Sequence, residues 1–522
     1  MSWRNRTWQE TARRRKLAVL STGLLAFALS AAVVPVPRLH DEFSYLLAAD
    51  TFSHGRLTNP THPMWVHFET FHVLQQPTYA SKYPPAQGLV LALGQRLGHP
   101  IIGVMISGAL AAAACCWMLQ GWVPGRFALL GGLLVSFHHG LRFYWHDYWN
   151  GSVAMLGGAL VFGALPRLQR RLRTGPALAL AFGIVLLANT RPFFGLLACL
   201  PVAGSLLVRI VGRNRPPFAI SLTKLFVPVV SLLSLAAVGM AYYNVRVTGD
   251  ALTLPYQAHN AAYSHTPLFL WQQPVPPPTY RHEPIRDFYL GWQAGDYDAQ
   301  QSLSEAFWRK RETLYFFVTP LLVLPLVTFP WMLRSRRTRF AAATVLLLFA
   351  ASLFVSGTHA HYLAPVAPLL FLLVVNGLRQ VDLYRWRGRA LGRGLVVAVA
   401  AVQILVFCVA LGLYAAEVPP AWATERARFR AELMALPGQH LVFVRYAPGH
   451  SPHEEWVYNE ADIDAARVVW ARSMSEDQDR ELIRYFAGRR LWNLYADRQP
   501  PELVEMTRDG RGPGPAPGAA QD

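Results

Sequence analysis

Charge and cysteine are scarce in this chain. Charged residues make up 15% of it and hydrophobic ones 53%, where a soluble domain carries about 25% charged residues. An ordinary soluble fold is therefore excluded. The four cysteines, Cys115, Cys116, Cys199 and Cys408, all lie inside apolar runs. None has a partner in an outer loop and none shows a zinc spacing, so a disulfide framework drops out as well. Also missing, in any useful context, are a Gly-rich phosphate loop, a Ser/His/Asp set, HExxH and CxxC. The signatures of a nucleotide-driven pump and of a membrane protease go with them.

What is present is apolar length. Runs near the roughly 20 residues that cross a bilayer recur from residue 17 to residue 416. They predict a mainly α, polytopic helix bundle with about eleven membrane helices. These are placed at 17–37, 101–121, 126–141, 151–166, 177–190, 193–211, 222–243, 313–333, 339–356, 362–378 and 394–416. The pair on either side of Asn189-Thr190-Arg191-Pro192 also reads as one kinked helix with a re-entrant piece; the proline marks a break either way. An Arg-rich start before Ala28-Leu29-Ser30 resembles a cleaved leader, but the apolar run continues through Val36. That exceeds a usual leader core, so a retained first helix is expected.

The formal net charge of +18 does not point to nucleic acid, because the basic residues gather in short links between apolar runs. Those links are Arg13-Arg14-Arg15-Lys16, 167–173, 209–215, 334–339 and 379–393. This is the positive-inside pattern, with contact to anionic lipid as a further consequence. It places the N-terminus in the cytoplasm. Loops 38–100, 142–150, 244–312 and 357–361, and everything after 417, fall outside. All 17 histidines then lie outside or at outer helix ends. Histidine is tolerated at interfaces, yet so complete a bias suggests an external polar working surface.

Within loop 38–100, interfacial helices are expected over 43–54 and 87–97. Loop 244–312 is rich in proline and aromatics and reads as irregular but packed, or as a flap over a groove. Residues 1–416 form the membrane part. Residues 417–505 read as a small external α/β domain, with strands at 441–444, 466–470 and 491–495 and a helix at 476–486. Trp456, Tyr458, Trp470 and Trp492 are expected in its core. A disordered Gly/Pro tail is expected over 506–522.

Four outer elements carry unusual polar residues. Asp41-Glu42 follows the first apolar run, where carboxylates either cap a helix or do chemistry at the bilayer surface. Lys82 precedes a rigid Pro84-Pro85 pair and suits a phosphate as a point charge; the plainer reading is a snorkelling interfacial lysine. Asp147 lies among aromatics in 143–150, as an N-cap, an acceptor contact, or both. His359 and His361 could hold a metal only on extended backbone, and no third ligand is evident. With no folded cytoplasmic domain in view, a sugar donor would have to come from the membrane or from outside, which suits a lipid-linked donor.

In order and on the predicted outer side, these elements resemble the GT-C membrane glycosyltransferases, in the protein O-mannosyltransferase and lipid A aminoarabinose transferase branch. Asp41-Glu42 with Tyr45, Ala48 and Ala49 is similar to that family's Asp-Glu-x-x-Tyr-x-x-Ala opening. Lys82 to Pro85 is similar to its Lys/His-Pro-Pro stretch, Asp147 to an acidic position of its second outer loop, and Tyr362 to Pro368 to its Tyr-Leu-x-Pro-x-x-Pro helix. The likeness covers roughly residues 17–380. It implies inverting transfer of a sugar from a polyprenyl-phosphate donor to an external acceptor hydroxyl. Asp41 would be the general base. Glu42 would orient the cluster and Asp147 would organise the acceptor or the base. Lys82, Arg191 and His361 would hold the donor phosphate, and Tyr45, Tyr83, His146 and Tyr362 would contact substrate. The acceptor, whether glycan, lipid or protein, stays open. No cofactor is certain, and a divalent metal is possible but not evident. A bacterial inner membrane is the expected location. The competing readings are a transporter, which would show internal repeats and mid-membrane charges, and a non-catalytic protein of lipid or polysaccharide export that uses the same outer surface for binding.

Overall fold

All eleven apolar segments fold as helices or helix pairs. The structure, a computed structural model, describes residues 3–357, 359–385 and 387–506. The first loop and bundle comprise α1 (Trp3–Ser30), α2 (His40–Ser53), α3 (Pro85–Arg96), α4 (Pro100–Trp122), α5 (Gly125–Ser136), α6 (Gly151–Arg170), α7 (Thr174–Ala188) and α8 (Pro192–Val211). They continue with α9 (Phe218–Thr248), α10 (Leu303–Phe317), α11 (Pro320–Met332), α12 (Arg336–Ser352), α13 (Ala364–Asp382) and α14 (Leu391–Ala416). By length and composition α4, α6, α8, α9, α13 and α14 could each cross a membrane alone, among the described residues. The pair α10 and α11, bent by 86°, would make a seventh span. The remaining expected spans are helical but shorter or more charged, so the count of eleven rests on the sequence pattern.

The core of the bundle is α6, buried along most of its length against α4 and α7. Its small residues allow that. A Cβ on Gly158 would stand 1.9 Å from the Pro365 carbonyl oxygen, so only glycine lets the start of α13 press onto α6. The expected end of α6 at residue 166 is overrun by one turn, to Arg170. Pro166 cannot donate to the Phe162 carbonyl, and the Trp122 indole N–H takes that acceptor at 2.9 Å. The orphan is satisfied and the helix continues.

Both interfacial helices of the first loop form, as α2 and α3. Between them lies a small antiparallel sheet that the sequence pattern does not announce, with order β1 (Asn59–Pro60), β3 (Thr78–Ser81), β2 (Val73–Leu74). The break at 189–191 separates α7 from α8 as two helices. Loop 244–312 carries short helices, including Pro255–Tyr263 and Ala294–Ala299.

After α14 comes α15 (Ala421–Ala435), which sequence reading missed. It precedes a sheet of order β5 (Val468–Arg472), β4 (His440–Arg445), β6 (Arg490–Tyr495), β7 (Glu502–Glu505). The first three strands are mutually parallel and β7 is antiparallel to β6. A helix, α16 (Glu476–Tyr485), connects β5 to β6. Trp456 and Trp470 are fully buried in this unit. It rests on α2: the Phe43 and Tyr458 rings stack 4.1 Å apart, and Asp50 accepts the Ala461 N–H at 2.7 Å. Of the expected tail, 507–522 lie outside the described residues.

Candidate active site

Two neighbouring carboxylates at the start of α2 serve different sides of the helix, since successive helical residues point about 100° apart. Glu42 is fully buried and faces the protein. Its Oε2 accepts the backbone N–H of Arg38 at 2.8 Å and of Leu39 at 3.1 Å, and its Oε1 that of Tyr148 at 3.4 Å. Leu39 at the N-cap offers no side-chain acceptor, so Glu42 supplies the reach-back half of a capping box. Asp147 hydrogen-bonds to it. Burial, and then Glu42 itself, hold the Asp147 carboxyl well above the usual carboxylate range. That shift favours a protonated Asp147, the form able to donate to Glu42.

Asp41 faces the other way, into a cavity of about 280 Å³. Tyr83 donates a short hydrogen bond to its Oδ1. Lys82 lines the same cavity, placed there by β3 and the Pro84-Pro85 start of α3. Its ammonium donates to His72 Nδ1 at 2.7 Å and lies 5.4 Å from the centre of the Tyr256 ring. Burial pushes the Lys82 ammonium down to about 7, with Arg191 lowering it further and Asp41 opposing. His72 is held in the left-handed region, at φ 61°, by its carbonyl. That oxygen accepts from Ser44 Oγ at 2.6 Å and from the Lys82 N–H at 3.2 Å. Behind the far wall, the Arg191 guanidinium packs 4.2 Å over the Tyr362 ring and donates to Asn150 Oδ1 at 3.1 Å.

No protein-family model matches the sequence, and no curated protein matches it. Solved structures do. ArnT from Cupriavidus metallidurans in the apo state superposes with a TM-score of 0.52 at 15% identity, covering 95% of this chain and 98% of that one. The same protein bound to undecaprenyl phosphate gives 0.50 at 15% identity, covering 95% and 99%. The chain has the GT-C fold. At this identity the likeness shows the fold alone.

Within that GT-C frame, the cavity gathers Asp41, Lys82, Tyr83, His361 and Tyr362. Arg191 stands one layer behind Tyr362. Glu42 and Asp147 lie on the opposite side of α2, Tyr45 stacks on Tyr83 at 4.5 Å without reaching the cavity, and His146 bonds the Leu29 and Arg142 carbonyls away from it. Further lining residues that the sequence did not mark as site members include His40, His72, Asp296 and His453, while His359, singled out there only as a metal candidate, lines the cavity too. His453 comes from the C-terminal unit and stacks 6.0 Å from His40. No sequence spacing links residue 453 to residue 41. His72 depends on a positive φ, a backbone conformation uncommon outside glycine. Among the described residues no three His, Cys, Asp or Glu side chains are grouped to hold a metal ion, and the His359 and His361 rings lie 5.9 Å apart.

Proposed function

We propose that the chain is an integral membrane glycosyltransferase that moves a sugar from a polyprenyl-phosphate donor to an acceptor hydroxyl, with inversion. The observation that carries this reading is the sharing of one cavity by a carboxylate, Asp41, and a cation, Lys82, with the Arg191 guanidinium behind. Transfer needs a base on one side of the anomeric carbon and positive charge on the leaving-group side. In the proposed step the acceptor hydroxyl gives its proton to Asp41 and its oxygen bonds the anomeric carbon. The bond from that carbon to the phosphate oxygen breaks, and the electron pair stays on the phosphate, which Lys82 and Arg191 stabilise. Tyr83 positions Asp41. Tyr362, packed under Arg191, and His361 shape the phosphate side, while Glu42 and Asp147 fix the start of α2 from behind.

The fold supports a lipid-borne donor: ArnT on the same architecture is seen with undecaprenyl phosphate. The charge pattern supports an outward-facing site in a bacterial inner membrane. The arginine-rich links lie at the helix ends opposite those that carry the cavity, which puts the cavity outside under the positive-inside rule. The 417–505 unit closes part of the cavity through His453 and is assigned to the same side.

The test is turnover in purified full-length protein reconstituted with a labelled polyprenyl-phosphate sugar and a panel of glycan, lipid and protein acceptors. Wild type transfers label and Asp41→Asn, still folded, does not. Absence of transfer from wild type to every acceptor, with the donor bound, would support a non-catalytic export protein instead.

A further inference from the structure

At the end of the bundle away from Asp41, the termini of four helices enclose a second and larger cavity, of about 990 Å³. Trp122 closes α4, Gln169 sits in the last turn of α6, Arg209 and Arg213 lie at and beyond the end of α8, and Arg336 and Arg337 open α12. Among the described residues, four arginines line this space and no carboxylate does. Two of them are held in place by carbonyl groups: Arg209 Nε donates to Gln169 at 3.1 Å, and Arg337 to Trp122 at 3.2 Å. A smaller cavity of about 340 Å³ adjoins it, shares Trp122, Arg336 and Arg337, and adds Arg379 from α13, again with no carboxylate among the described residues. The Arg336–Arg337 pair is thus a ridge with an unneutralised cationic hollow on each side.

The walls combine the arginines and the polar Gln169, Ser205 and Asn214 with an apolar side. Leu165, Pro201, Val208 and Phe340 line the larger cavity. Along α8, Leu196, Leu200, Leu207 and Val208 are 52–73% exposed, an apolar surface continuous with the arginines and suited to acyl chains. Arginine forks match phosphate oxygens, and basic pockets between helices on the cytoplasmic side favour anionic headgroups. We infer that these paired cavities bind a phospholipid carrying two phosphates, one seated on each side of the Arg336–Arg337 ridge. The site is distinct from the transfer cavity and does not depend on the proposed reaction.

Binding is read on full-length protein in detergent by native mass spectrometry, with cardiolipin, phosphatidylglycerol and inorganic diphosphate as probes. Cardiolipin binds the wild type more tightly than phosphatidylglycerol. At about fivefold per arginine near a membrane surface, Arg336→Gln/Arg337→Gln weakens cardiolipin about 25-fold. Arg171→Gln/Arg173→Gln removes equal charge from exposed positions outside both cavities and changes little. Arg379→Gln, which leaves the ridge whole, reduces the preference for cardiolipin over phosphatidylglycerol. Equal losses in the two double variants would reduce the effect to surface charge and overturn the assignment. Equal affinity for the two lipids would overturn the two-phosphate reading, and displacement of lipid by equimolar inorganic diphosphate would make it a free-anion site.

Discussion

Lys82 offers the sharpest test of the proposed chemistry, because its charge is both needed and precarious. Its ammonium lies in a buried wall, bonded to a neutral histidine and near Arg191, with the Asp41 carboxylate opposing that loss of charge. Burial pushes it down to about 7. It is therefore charged below about pH 7 and loses its proton as pH rises through that value. Three histidines around it are held below that window. Burial depresses His40 to about 3, and pushes His72 and His259 well below the usual histidine range. The donor, a phosphodiester, keeps one negative charge throughout. If only charged Lys82 holds that phosphate, about nine-tenths of the protein is competent at pH 6 and about a tenth at pH 8, so donor affinity falls about tenfold. The measurement is donor Kd, or KM at saturating acceptor, across that range. Lys82→Arg stays charged throughout and should flatten the profile, even where the new geometry weakens binding at every pH. A flat wild-type profile, or an Arg variant that keeps the same slope, refutes the assignment of Lys82 to the phosphate.

Three further outcomes follow from the geometry. Asp41→Asn should lower kcat by about 10² to 10⁴, the usual contribution of a positioned base, with donor Kd little changed in an equilibrium binding assay. Asp147→Asn should cost little in thermal melting, because burial beside Glu42 favours the protonated carboxyl and the amide can likewise donate to Glu42. By contrast, Glu42→Ala strips an acceptor from three backbone N–H groups and should cost about 3 kcal/mol or more; equal effects of the two would refute the proton-sharing pair. In the C-terminal unit, the fully buried ion pair of Arg472 with Glu455 makes Arg472→Ala destabilising by about 3–5 kcal/mol, read by chemical denaturation, with a change under 1 kcal/mol counting against it.

Some of the site was legible because its signals are local. Asp41 next to Glu42 after an apolar run, and Lys82 ahead of two prolines, can each be read within five residues, and both side chains line the cavity. Arg191 before Pro192 marked a helix break, and the break is what carries the guanidinium behind Tyr362. Asp147 was equally conspicuous, but conspicuousness does not say which way a carboxyl points. Only the packing of 143–150 against α2 turns it toward Glu42 rather than toward the cavity. His453 had no signal at all, since its neighbour His40 lies more than four hundred residues earlier in the chain.

Period, apolar length and charge asymmetry act over one or two helical turns, so the chain alone determined that it forms a helix bundle, where most of its helices run and which ends gather arginine. Which residues meet was decided by long-range packing: a carbonyl pressed onto Gly158, an indole filling the acceptor freed by Pro166, a tyrosine of the last domain stacked on Phe43. Such contacts depend on shape matched between distant segments, and shape at a contact is not written in either segment by itself.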